Sequence, residues 1–192
     1  MTSQTVEIPG YIAGTWDLDP VHSTIEFVAR HLMVSKVRGR FPGFEAQIVT
    51  APNPLDSSAT ATIDLASVDT GNEMRDNDLR SENFFDVAHH PTMTYRSTGV
   101  RPAGAGETLL MDGELTLRGA TRPVTLTVEA NGFGPDPYGG TRAGFSASGE
   151  IDRTEFGITF NAPVPGSSGV MVSERIQIQI EAEAVLRQEQ QA

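Results

Sequence analysis

Cysteine is absent from this chain of 192 residues, so disulfides, thiolate catalysis and cysteine-bound zinc are all excluded. That absence suits a reducing or an oxidising compartment equally. Positive charge is also scarce: 14 Lys and Arg stand against 25 Asp and Glu, a net charge of −11. Such an acidic chain repels phosphates over most of its surface, which argues against a nucleic-acid partner. It also argues against resting on an anionic bilayer, where a basic patch is needed, so a lipid would be carried inside. No run of 18 apolar residues occurs, and no membrane-spanning helix or stable membrane insertion is expected. Met1 to Gly10 has neither the basic start nor the apolar core of a secretory signal, so the expected location is the cytoplasm.

What the chain has in quantity is alternation. Nineteen glycines and twelve prolines fall between apolar stretches, as turns do between short strands. Ile25, Phe27 and Ala29 alternate with polar neighbours, and the pattern recurs at Phe44, Ala46 and Ile48, at Val124, Leu126 and Val128, and at Ile176, Ile178 and Ile180. Eight strands are predicted, near 16–31, 36–49, 58–68, 92–100, 107–118, 122–133, 141–152 and 173–187. Turn chemistry separates them: Ala-Gly-Ala-Gly at 103–106, Arg118-Gly119-Ala120, and Gly134-Pro135-Asp136-Pro137. The short connections make successive strands antiparallel neighbours. With no helices to cover the apolar faces, sheet must close on sheet, as a barrel or a two-sheet sandwich. An eight-stranded barrel either fills with side chains or holds one small ligand.

The chain reads as one all-β domain over residues 11–187, with flexible tails at 1–10 and 188–192. One segment breaks the alternation. Residues 71–86 are polar and suited to a helical insertion, and Met74, Leu79, Phe84 and Phe85 give it an apolar side fit to cover a barrel end. Ser81 can cap a turn there through the N–H of Asn83 or Phe84.

Candidates for chemistry are few. His89 and His90 are neighbours in extended chain and point apart, so they cannot chelate one ion. His22 and His31 are separated by roughly 30 Å of extended chain. Asp19, His22 and Ser23 supply the residue types of a hydrolytic triad, but no Gly-x-Ser-x-Gly elbow presents a nucleophile. Glu181 and Glu183 fall on the solvent face of the last strand. No catalytic residue, metal site or cofactor is therefore assigned. Arg75, Asp76, Arg80, Asp152 and Arg153 either pair to fix the insertion against the rim or place an arginine where a polar head group arrives.

These features occur in a familiar order. Trp16-Asp-Leu-Asp-Pro-Val-His22-Ser23, Phe27 to Leu32, Ser35 to Phe41, Asp69 to Asn72 and Arg75-Asp76 come first. Leu79-Arg80-Ser81, Asn83 to Asp86, Tyr95 to Thr98, Gly113 to Gly119, Thr121 to Leu126 and Asp152 to Gly157 follow. The set, spanning about residues 14–186, resembles the YceI-like family of bacterial polyisoprenoid-binding proteins. The resemblance implies an extended, lipocalin-like barrel of eight antiparallel strands, with a helical insertion and a long isoprenoid in its bore. Asp78 stands where a histidine usually follows Arg-Asp-x in that family, and Ser173 where a glycine is common.

The expected ligand is thus a polyisoprenoid lipid or an isoprenoid quinone, bound, stored or transported by a protein that is not an enzyme. Phe27, Phe41, Phe44, Met93, Tyr95, Phe145 and Phe160 are expected to line the bore, with His22, His31, Arg75 and Arg153 at a polar mouth. Met74, Leu79, Phe84 and Phe85 are expected to form the lid. The alternatives are a fully packed barrel serving as a protein-interaction or stress-related structural module, and an enzyme using His22 or His31 on a small apolar substrate. An exposed edge or mouth also leaves room for a homodimer.

Overall fold

A computed structural model describes residues 6–104, 107–167 and 169–188. Ten hydrogen-bonded segments make eight antiparallel courses around one barrel. The first course is β1 (Gly14–Leu18) and β2 (Thr24–His31), interrupted at residues 19–23. The second is β3 (Ser35–Arg40) and β4 (Phe44–Thr50), broken at Pro42, which has no N–H to give a ladder. The other six are β5 (Ser58–Asp64), β6 (Thr92–Pro102), β7 (Leu109–Leu117), β8 (Ala120–Pro135), β9 (Thr141–Asp152) and β10 (Arg175–Leu186).

Each course pairs with the next in sequence, and the barrel closes where β10 pairs with both halves of the first. The pairs Trp16↔Leu186 and Val28↔Gln177 mark the ends of that seam. This is the barrel of the two closures considered above, and the two predicted long strands are each bent into halves. The break at 19–23 does not open the seam. Asp19 N–H donates to the Glu183 carbonyl at 2.8 Å, and the Ser23 hydroxyl both donates to that carbonyl and accepts from Glu183 N–H.

The helical insertion is shorter than expected. Helix α1 (Glu73–Arg80) is capped by Asn72, whose side chain accepts from Arg75 N–H, and it ends at Ser81. The Ser81 hydroxyl then accepts from Asn83 N–H at 3.3 Å, as its position suggested. The arginines around it bond carbonyls rather than carboxylates. Arg80 donates to Ala66 O and Val68 O, Arg75 to Thr70 O, and Arg118 to Phe84 O.

The expected N-terminal tail divides: residues 1–5 lie outside the described residues, whereas Val6 is buried against the barrel. Of the expected C-terminal tail, 189–192 lie outside the described residues, as do positions 105 and 106 of the predicted turn at 103–106. The lower end is floored by aromatic rings. Trp16 is fully buried, donates to the Thr50 hydroxyl at 2.7 Å, and sits edge-on to Phe133, which meets Tyr11 and Phe145 in the same way.

Candidate functional site

Alternation sends one side chain in two toward the barrel axis, and many of the inward positions are small. Ala46 of β4, Ala59 and Ala61 of β5, Ala130 of β8, Ala147 of β9 and Ala182 of β10 all face the interior, and the space they leave is open. Two cavities result. The lower, of about 130 Å³, lies above the aromatic floor and is bordered by Ile8, Tyr11, Leu18, Ile48, Met111 and Phe145 among others. The upper, of about 180 Å³, is bordered by Phe27, Phe41, Ile63, Met93, Leu115 and Ile178 among others. Ile25, Ala61, Tyr95, Leu126 and Ile180 border both, so the two cavities meet at one waist.

Tyr95 stands at that waist. Its ring packs over Gly113 on β7, where an added Cβ would sit 2.4 Å from the Tyr95 hydroxyl. The hydroxyl donates to the Met111 carbonyl at 3.3 Å, and burial pushes its pKa up to about 12, with Asp112 adding to the shift. Both cavities are walled almost wholly by carbon. By size they could hold several waters, at roughly 10–15 Å³ each, but a water needs two to four polar partners, and these walls offer hardly any.

Of the residues expected to line the bore, Phe27, Phe41 and Met93 border the upper cavity, Phe145 the lower, and Tyr95 both. Phe44 does not border either cavity; it packs against the core beside Ile63, its partner on β5. Phe160 is also displaced, 41 % exposed after the short turn Arg153–Phe156, with its ring edge-on to the lid residue Phe84. Leu79, Phe84 and Phe85 border the upper cavity and close its end. Met74, expected beside them, points outward and is 83 % exposed, because it lies on the opposite side of the first turn of α1 from the buried Asp76.

The polar mouth does not assemble as expected. Arg75 is held by Thr70, and His31 sits at the outer end of β2, where its backbone bridges Val172. His22 lies outside the barrel in the seam break, with Nδ1 2.8 Å from Asp19. There Asp19, His22 and Glu183 bring three ligating atoms within 4.8 Å of one another. The cation among them is Arg142, whose Nη1 donates to Asp19 at 2.8 Å and Glu183 at 2.6 Å. Arg142, then His22, hold the Asp19 carboxyl far below the usual carboxylate range.

Of the four, Arg153 borders the upper cavity of the bore, and it is 4 % exposed. Its guanidinium donates to the carbonyls of Ser173, Ile158, Phe160 and Val172, pinning the arms 157–161 and 171–173 at the upper end. Burial lowers its pKa, with Glu174 and Asp152 opposing. Ser173, unexplained in sequence, proves to be a strap: its hydroxyl accepts from Arg30 N–H on β2 and donates to the Arg175 carbonyl on β10. Asp78, the other departure, accepts from Asn83 Nδ2 at 3.2 Å on the outer side of the lid. No helix among the described residues is long and apolar enough to cross a membrane.

Comparison with known proteins places this geometry. The model of the YceI-like domain matches residues 16–184. A UPF0312 protein of Staphylococcus epidermidis is 39 % identical over 170 residues, 88 % of this chain and 95 % of that one. The crystal structure of Burkholderia cenocepacia BcnA superposes with a TM-score of 0.75 at 27 % identity, covering 86 % of this chain and 98 % of that chain. A polyisoprenoid binding domain from Saccharophagus degradans shares the fold, with a TM-score of 0.60 at 18 % identity over 92 % of this chain and 100 % of its own. The chain belongs to the YceI-like family.

Proposed function

We propose that this protein binds one long, apolar isoprenoid lipid, of quinone or polyprenyl type, along the axis of its barrel, and that it stores or carries that lipid rather than transforming it. The observation that carries this reading is the pair of carbon-walled cavities meeting at the Tyr95 waist. A thin, flexible hydrocarbon suits a space that is long, narrow and nearly without polar partners. Each methylene taken from water contributes about 0.8 kcal/mol, so the tail supplies most of the affinity. The polyisoprenoid binding domain of the shared fold supports the same ligand class.

Entry is through the upper end. The lower end is floored by fully buried Trp16, whereas the upper end is closed by an inserted helix and an arm held from below. There, among the described residues, Arg153 gives four N–H groups to carbonyls and keeps one on Nη2, a donor for an oxygen of the ligand's head group. The test is to purify the protein natively, extract it with organic solvent and identify what comes off by mass spectrometry. A single isoprenoid species near one per chain is expected. Recovery of no lipid, together with failure to bind an added isoprenoid quinone, would overturn the reading.

A further inference from the structure

The hairpin that joins β2 to β3 has a tip of large exposed apolar residues. Val34 is 81 % exposed, Met33 51 % and Leu32 40 %. The tip turns through positive φ at both central residues, 51° at Leu32 and 59° at Met33, a backbone for which Asn-Gly is the favoured pair. Bulky side chains are conformationally disfavoured there, so folding alone does not select Leu-Met at this position.

The charge around the tip is equally unusual for this chain. Residues 27–44 contain no acid but hold Arg30, Arg38, Arg40 and Lys36, the only lysine in the sequence. Lys36, Arg38 and Arg40 share one face of β3, and Arg30 is directly across from Lys36. Arg40 is taken by Asp69, and among the described residues Arg38 reaches only the Gln179 amide oxygen at 3.4 Å. Arg30 and Lys36 border a surface groove with Met33, whose far wall carries Glu150, Glu174 and Arg175, the last already paired to Glu150. A net charge of −11 is therefore unevenly spread, and one hairpin presents an apolar tip with a cationic collar. That hairpin stands at the lid end of the bore. Phe27 and Ala29 of β2 border the upper cavity, and Leu32 N–H donates to Met171 O, next to the cavity residue Val172.

We propose that the β2–β3 hairpin docks this protein on an anionic lipid bilayer. Leu32, Met33 and Val34 enter the interface, and Arg30, Lys36 and Arg38 lie over the head groups, which turns the lid end of the bore toward the lipid. Docking rests on the hairpin alone, whereas its purpose, exchange of a lipid between bilayer and bore, rests on the function proposed above. Each basic side chain near an anionic surface strengthens binding about fivefold, and the effect decays within a Debye length of about 8 Å. Glu73, Asp78 and Glu82 of the lid region are repelled by the same surface, which confines contact to the hairpin.

The test is flotation of the full chain with vesicles of phosphatidylcholine alone or mixed with phosphatidylglycerol. The protein should float with the mixed vesicles only, and release in molar salt. Lys36→Glu with Arg38→Glu should weaken that binding at least tenfold. Leu32→Asn with Met33→Gly relieves the turn, so it should fold at least as stably as the parent and still bind the mixed vesicles more weakly. Failure to float with anionic vesicles, equal flotation with neutral ones, or unchanged binding by both variants would overturn docking. So would sedimentation showing that the tip instead joins two copies of the chain. Lipid extraction from the same samples separates the two readings: a lipid-loaded chain that does not float overturns docking alone, and an empty chain that floats overturns the bore alone.

Discussion

Replacing Ala61 with phenylalanine should divide the bore at its waist and shorten the tail the protein accepts. Ala61 borders both cavities and lies across from Tyr95 on β6, so a ring at this position stands where a threaded chain must pass. The lower cavity, about 130 Å³ beside about 180 Å³ above it, holds roughly two-fifths of the space. A five-carbon isoprene unit excluded from it forfeits on the order of 4 kcal/mol of gross transfer energy, at about 0.8 kcal/mol per methylene. Ordering the chain offsets part of that, so a net loss of at least tenfold in affinity, about 1.4 kcal/mol, is expected for each unit displaced. Competition against a bound fluorescent lipid, with isoprenoids of graded tail length, reads the effect. Short tails that occupy only the upper cavity should bind as before, and long ones should weaken progressively. Because the new ring fills empty space, the thermal midpoint should not fall. Equal loss for short and long tails, or no loss for either, would show that ligands do not pass the waist.

Gly113→Ala should destabilise the fold by about 1–3 kcal/mol in urea, the usual cost of overpacking, because its methyl meets the Tyr95 ring. Phe27→Glu should abolish lipid loading in a protein that still folds, as extraction and mass spectrometry would reveal, because a carboxylate there faces a cavity of carbon. Absorbance titration should show Tyr95 ionising only near pH 12, since burial disfavours the phenolate. For Asp19 the folded pKa lies below the unfolded value of about 3.9, so its contribution to stability is present above that pH and is lost as pH falls further. Asp19→Asn should accordingly lower the urea midpoint at pH 7 and flatten its decline below pH 4, which denaturation at a series of pH values would measure.

The barrel was legible because alternation is a local signal: Ile176, Ile178 and Ile180 declare an inward face without reference to any other strand. The interruption at 19–23 left a trace that was passed over, since the inward positions are even at Trp16 and Leu18 but odd at Ile25, Phe27 and Ala29, a change of phase that one continuous strand cannot carry. What bridges the gap is Glu183, 160 residues from Ser23. Phe27, Phe41, Met93, Tyr95 and Phe145 border the cavities because alternation sends them inward, and that much was legible. Phe160 borders neither cavity because it lies outside any strand, whereas Phe44 keeps the inward phase of Ala46 and Ile48 and is taken up in the core beside Ile63. Arg153 was placed at a mouth for following an apolar strand end, but its carbonyl partners run to Ser173, 20 residues on. The cationic hairpin was concealed by summing charge over the whole chain.

The better sequence signal for a hollow interior was the inward alanines rather than the aromatics. A packed eight-stranded barrel fills its axis with large side chains, and Ala46, Ala59, Ala61, Ala147 and Ala182 decline to do so. An empty apolar space has a cost, at about 24 cal/mol per Å³ of cavity. At that rate cavities of about 130 and about 180 Å³ remove about 3 and about 4 kcal/mol, a large fraction of the roughly 5–15 kcal/mol that a domain has in all. Fitting larger side chains at those inward positions would recover much of this, and leucine is no harder to encode than alanine. The fold therefore forgoes stability along its axis and keeps the space free of polar groups that would hold water. A bound hydrocarbon restores the missing contacts and stabilises the folded state by mass action. That coupling favours a barrel built around a ligand over one built as a packed module.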